Sequence, residues 1–198
     1  MKKNVLLLAG IIFLMASCYP DEPISYSDYD LVYTNYTAGF NFASKGTYAM
    51  PDKIVKVTGN LAEGQNPEYV KEPYNTQILN LIQTNMTALG WTKVDDPATA
   101  DLSLLPAVWT NTTIYYWNDY WCWYYYYYCG WGYYYPTVTS YTSGTMVMTL
   151  IASGDNYVDP TSVWTAALNG LVSGSYNLTR VTDGINQAFK QSPYLNTK

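Results

Sequence analysis

From Leu102 to Gly154 the chain carries a single charged side chain, Asp119. Across all 198 residues only 13% are charged, about half the usual share, and this stretch holds almost none of them. Its first part, Asp101-Leu102-Ser103-Leu104 and on to Ile114, alternates as a strand does. Its last part, residues 144–151 (Gly-Thr-Met-Val-Met-Thr-Leu-Ile), is apolar on both faces, the pattern of a central strand. Pro106 interrupts the first run; lacking an N–H, it predicts a sheet edge or a bulge at that point.

The remaining elements follow from local patterning. Asp30-Leu31-Val32-Tyr33-Thr34 reads as a first strand, and Lys53-Ile54-Val55-Lys56-Val57 as a second, at an edge. Residues 59–75, with two Gly, two Pro and three Asn, read as a surface loop. Ile78, Leu81, Ile82, Met86 and Leu89 recur at helical spacing, with Asn75 or Thr76 as the N-cap and Gly90 at the C-terminal turn, so that Trp91 folds back on it. Asp95-Asp96-Pro97 and Ser153-Gly154-Asp155-Asn156 are turns, and Ser162–Leu168 returns as a strand. Leu178, Val181, Ile185, Ala188 and Phe189 mark a second helix, weakened by Gly184 and stopped near Pro193. The order of elements predicts an α+β two-layer sandwich: a mostly antiparallel sheet, two amphipathic helices on one face, and a protruding aromatic β-hairpin at about 115–136. No internal repeat is visible.

That hairpin region is compositionally extreme. Between Tyr115 and Tyr141 lie 12 of the 23 Tyr and four of the seven Trp. In a run such as Tyr124–Tyr128 a one-residue slip changes little, so pairing register has to come from elsewhere. Cys122 and Cys129 supply the means: with six residues between them, they suit a hairpin end, and a disulfide closing that ring stabilises by roughly 2.5 kcal/mol in the loop-entropy account. A metal site is the rival reading, but two Cys without His or a second Cys pair do not complete a tetrahedral set. Trp117, Trp121, Trp123, Tyr125, Tyr127 and Trp131 form the candidate binding surface. Rings of this kind suit boundaries that are apolar on one side and wet on the other. A glycan, a protein contact and a membrane-interface tip all remain open to them.

The N-terminus is an address. Lys2 and Lys3 precede an apolar core, Val5 to Leu14, too short to span the roughly 30 Å of hydrocarbon that needs about 20 residues. Met15-Ala16-Ser17-Cys18 resembles the bacterial lipobox, which makes residues 1–17 a signal peptide and Cys18 the lipid attachment site. Three acyl chains on Cys18 hold a protein far more firmly than one. Residues 18–28, with Pro20 and Pro23, read as an extended tether. Tyr19 follows Cys18 where enteric inner-membrane lipoproteins carry Asp, and Asp21-Glu22 resembles a surface-export signal, so the expected location is the outer membrane, periplasmic or surface-exposed, with the outward face favoured. Cleavage removes Lys2 and Lys3, leaving eight basic against 15 acidic residues, a net charge of −7. Such a body stands off an anionic surface.

Composition narrows the chemistry. The full chain is at −5 with no basic stripe, which argues against nucleic-acid binding. It has no His, which removes Ser-His-Asp and Cys-His catalysis and the commonest zinc ligand, and no cofactor or metal site is legible. The carboxylates are the catalytic material left. Asp28 and Asp30 share a strand face and Asp95-Asp96 sit in a turn, but Asp at strand starts and Pro-containing turns is ordinary turn chemistry. No catalytic residue is assigned.

Several motifs then fall in a familiar order. They are Tyr29-Asp30, Leu89-Gly90-Trp91, Ala100-Asp101-Leu102, Trp131-Gly132-Tyr133-Tyr134, Tyr141-Thr142-Ser143-Gly144-Thr145, Val163-Trp164 and Ser192-Pro193. This order resembles the lipoprotein family with domain of unknown function 4136, over roughly residues 29–195, read as one α+β domain. The family often carries Asp-x-x-Asp where this chain has Ser153-Gly154-Asp155-Asn156. The resemblance implies an outer-membrane lipoprotein without an established activity, and no catalytic residue carries over. The expected role is a non-catalytic interaction or envelope-structural module, with an envelope protein or a glycan as partner. The alternatives are a surface carbohydrate-binding module and, behind it, a weak carboxylate hydrolase. Non-reducing peptide mapping of the mature protein should join Cys122 to Cys129; free thiols at both positions would remove the disulfide.

Overall fold

The computed structural model describes residues 31–57, 67–109, 144–152, 161–170 and 177–198. Among them the order is β1 (Leu31–Tyr36), β2 (Thr47–Ala49), β3 (Val55–Val57), β4 (Glu68–Tyr69), α1 (Tyr74–Ala88), β5 (Thr92–Val94), β6 (Leu102–Trp109), β7 (Thr145–Ala152), β8 (Thr161–Asn169) and α2 (Leu178–Lys190). All strands join one mixed sheet in the order β1-β8-β7-β6-β2-β5, with β3 beside β6 and β4 outside β3. The three long ladders, β1–β8, β8–β7 and β7–β6, are antiparallel, while the short pairings β2–β6, β2–β5 and β3–β6 are parallel. This is the α+β architecture that the patterning predicts. Cys122, Cys129 and the aromatic hairpin lie outside the described residues.

Strand alternation sorts the side chains onto two faces. Leu102, Leu104 and Val108 of β6, Met146, Met148 and Leu150 of β7, and Trp164, Ala166 and Leu168 of β8 pack with Ile78, Leu79, Ile82 and Met86 of α1 and Val181, Ile185, Ala188 and Phe189 of α2. Both helices therefore lie on one face, and they meet where the Asn85 amide Nδ2 donates to Asn186 Oδ1 at 3.0 Å. The opposite face has its own buried apolar cluster of Val55, Leu105, Ala107, Trp109, Val147 and Ala167. Burial on both faces accounts for the doubly apolar pattern of residues 144–151.

Four local expectations are corrected. Pro106 is neither at an edge nor at a bulge: β6 is central, and Pro106 pairs in unbroken register with Met148. On its other side β6 pairs with β2 at Leu102 and Ser103 and with β3 from Ala107 to Trp109, so Pro106 falls in the gap between two short partners. A residue without an N–H disturbs a ladder least in such a gap. The register shift in the sheet lies instead at Leu150/Ile151, against β8. The second strand is not the edge, since β4 lies outside it, and β4 itself forms within the stretch read as loop. Helix α1 begins after Pro73 rather than at an Asn75 or Thr76 cap. Asn75 is instead buried in the first turn, where its Oδ1 accepts from Ile54 N–H at 2.8 Å and its Nδ2 donates to the carbonyl of Asp52 at 2.8 Å.

The end of α1 follows its prediction. Gly90 has φ +98°, its N–H donates to Thr87 C=O, and Trp91 N–H donates to Met86 C=O, which together form a Schellman turn. A Cβ on Gly90 would also lie 2.5 Å from Thr197 Oγ1, so both conformation and space demand glycine.

Tyr48 on β2 is fully buried in the helix-facing core. Burial pushes its hydroxyl pKa up to about 12, and the hydroxyl finds no partner among the described residues. An unsatisfied buried hydroxyl costs about 1–3 kcal/mol. Tyr48→Phe should accordingly leave stability unchanged or raise it by about 1 kcal/mol in urea unfolding; a clear destabilisation would show that the hydroxyl is bonded.

Candidate functional site

The residues nominated from sequence, Cys18, Cys122, Cys129, Trp117, Trp121, Trp123, Tyr125, Tyr127 and Trp131, all lie outside the described residues. The described structure does fix where the aromatic segment joins the sheet. Gly144 N–H donates to Trp109 C=O at 2.8 Å, so both ends of residues 110–143 meet at one end of the β6–β7 pair.

Three of the described carboxylates, Asp101, Asp96 and Glu72, have structural work. Asp101, in the Ala100-Asp101-Leu102 motif, accepts on Oδ2 from the N–H groups of Gly46 and Thr47, each at 2.9 Å, and from Thr47 Oγ1 at 2.8 Å. Its own N–H donates back to Thr47 Oγ1 at 3.0 Å, which latches the start of β6 to the start of β2. Partial burial pushes its carboxyl up, but these hydrogen bonds and the nearby Lys45 outweigh that and hold it below the usual carboxylate range. Asp96 caps the short 3₁₀ turn Pro97–Thr99, accepting from Ala98 N–H at 2.9 Å, as turn chemistry predicts. Glu72 accepts from the Asn75 amide at 3.0 Å and the Thr76 N–H at 3.2 Å. Hydrogen bonds from the side chains of Thr76 and Asn75 and from the Thr76 backbone hold its carboxyl low. Asp28 and Asp30 lie outside the described residues.

The Trp motifs converge in space. Trp91 Nε1 donates to Leu195 C=O at 2.8 Å, and Trp164 Nε1 donates to Ser192 Oγ at 2.9 Å. Leu89-Gly90-Trp91, Val163-Trp164 and Ser192-Pro193, three motifs far apart in sequence, thus meet at one buried junction.

Among the described residues β1 ends the sheet on one side, with β4 and β5 at the other. On β1, Leu31 is 66% exposed and Tyr33 61%, while Tyr36 stacks its ring on Tyr194 at 3.9 Å between centroids. Sequence reasoning placed a strand here but not an open edge, because strand order is not written in local pattern. Among the described residues no group of three or more His, Cys, Asp or Glu could hold a metal ion, and no helix is long and apolar enough to cross a membrane.

The family described as domain of unknown function (DUF4136) matches the chain over residues 32–194. The crystal structure of a DUF4136 family protein from Bacteroides thetaiotaomicron is 30% identical, covers 85% of this chain and 98% of its own, and superposes with a TM-score of 0.64. PelC from Paraburkholderia phytofirmans, crystallised as a dodecamer, is 13% identical over 85% of this chain and 99% of its own, with a TM-score of 0.43. No curated protein matches the chain.

The Asp101 latch should be visible in a pH titration. A carboxyl whose pKa is lower folded than unfolded adds stability that is complete above its unfolded value, near pH 4, and is lost as pH falls through the folded value. Asp101→Asn should destabilise at pH 7 by about 1 kcal/mol, and the gap to wild type should narrow as pH falls below the ordinary carboxylate range. A gap that stays constant from pH 7 to pH 3 would show that the carboxylate charge plays no part.

Proposed function

The chain belongs to the DUF4136 family, and from that premise we propose that it is a lipid-anchored outer-membrane lipoprotein whose α+β domain is a non-catalytic interaction or envelope-structural module. The observation that carries the interaction role is the β1 edge: large apolar side chains, Leu31 and Tyr33, face outward on a strand that, among the described residues, has a neighbour on one side only. Single exposed apolar residues are common, but clustered ones mark contact surfaces. The motif residues point the same way. Asp101, Trp91, Trp164 and Ser192 are engaged in holding elements together, as residues of a scaffold are.

Two features support the anchor. Lys2, Lys3 and the short apolar core lead to Met15-Ala16-Ser17-Cys18, and β1 begins 13 residues after Cys18. Fully extended, that tether reaches roughly 40 Å, enough to let the edge strand work clear of the lipid. Uncharged rings in residues 115–136, pinned by a Cys122–Cys129 disulfide, would add a second contact surface for an envelope protein or a glycan.

Intact-mass analysis of the protein from fractionated envelopes tests the anchor. Wild type should begin at an acylated Cys18 and sediment with the outer membrane, whereas Cys18→Ala should persist as an unprocessed precursor. An unmodified Cys18 in mature wild type would overturn the reading.

A further inference from the structure

The free edge of the sheet has a definite hydrogen-bonding register. Thr37 N–H donates to Val163 C=O at 2.9 Å, one step beyond the β1–β8 ladder. Backbone groups of successive strand residues point to opposite edges. Asn35, Tyr33 and Leu31 therefore bond β8, while Val32, Thr34 and Tyr36 turn their N–H and C=O groups outward. The Asn35 side chain confirms this direction, because its Oδ1 accepts the outward Tyr36 N–H at 2.9 Å. Val32 and Thr34 are left as the open rungs among the described residues.

We propose that β1 pairs antiparallel with β1 of a second copy of this chain, about a two-fold axis passing at Tyr33, so that one sheet runs through both copies. In an antiparallel pair, two residues that face each other in the bonded position exchange both hydrogen bonds. Setting Val32 opposite Thr34 of the second copy, and Thr34 opposite Val32, completes four bonds and uses all the open rungs. Tyr33 then faces Tyr33 of the second copy in the closer, non-bonded position, where cross-strand aromatic pairs interact best. Leu31 lies opposite Asn35 of the second copy on the same exposed face. Sliding by two residues in one direction would require the Tyr36 N–H, which Asn35 already holds; sliding in the other leaves β1 at Leu31.

The edge lacks the devices that keep strands apart. Natural edges are guarded by Lys, Pro or a bulge, and Leu31–Tyr36 has none of these. Charge does not oppose the same contact. The chain is at −5 overall, yet residues 31–44 and the adjacent β8 carry no charge, so two copies meet through neutral strips. A contact of one short strand falls well below the roughly 1,200 Å² of a standard interface. Association is therefore weak and concentration-dependent.

Sedimentation velocity of the full chain should show a monomer that becomes a dimer as concentration rises. Thr34→Pro removes an outward N–H without touching the β1–β8 bonds, and it should weaken dimerisation at least tenfold while circular dichroism stays unchanged. Independently, Tyr33→Cys under mild oxidation should give a covalent dimer whose peptide map joins the two substituted positions, with Tyr36→Cys and wild type as controls. A wild type that stays monomeric at every concentration would overturn the proposal. So would Tyr36→Cys cross-linking as readily as Tyr33→Cys, or a β1 edge protected from exchange only when a different protein is bound.

Discussion

Ser192 sits fully buried between α2 and the sheet, and its hydroxyl serves three groups at once. It donates to Ala188 C=O at 2.9 Å and accepts from the Trp164 indole at 2.9 Å and from the Tyr194 hydroxyl at 3.2 Å. Buried indole N–H groups need acceptors, and the chain after α2 supplies both of them, since Trp91 donates to Leu195 C=O. The last residues of the domain thereby fix α2 against β8 and, through Thr197 N–H on Leu89 C=O at 3.0 Å, against the end of α1. Gly90 leaves the room for this closure. With both helices fixed, one face of the sheet is sealed, and the apolar core of α1 and α2 has a single place to lie.

That closure explains where contact surfaces remain. The centre of the sheet is buried on both faces, and the β2–β6 junction is held by the Asp101 latch. Among the described residues the sheet ends at β1 on one side and at β4 and β5 on the other, and β1 is the longest of these terminal strands. The strand is held to the body through β8 and through the stacking of Tyr36 on Tyr194, so the Ser192 junction also positions the edge. Fold integrity and the position of the β1 edge are mechanically linked through these two tyrosines.

Residue pattern made much of the fold legible. Helical spacing located α1 and α2, the doubly apolar run at 144–151 located a central strand, and Gly90 announced its turn, because each of these is a local consequence of burial or of a backbone conformation open chiefly to glycine. The strands at Thr47–Ala49, Glu68–Tyr69 and Thr92–Val94 were not legible, since two or three residues are too short to show a period. Asn75 looked like a helix cap because Asn favours caps; its burial and its bonds to the 52–54 segment depend on a chain partner about 20 residues away.

The sequence by itself determined the α+β class, the helix-facing stripes, the carboxylates that would act in turns, and an N-terminus patterned as a lipoprotein signal. All of these rest on short-range spacing and residue chemistry. Tertiary structure alone decided that Pro106 lies inside the sheet, that the Trp and Ser motifs share one junction, and that β1 ends the sheet among the described residues. These depend on strand order and register, which arise when segments far apart in sequence compete for the same hydrogen bonds and the same buried face.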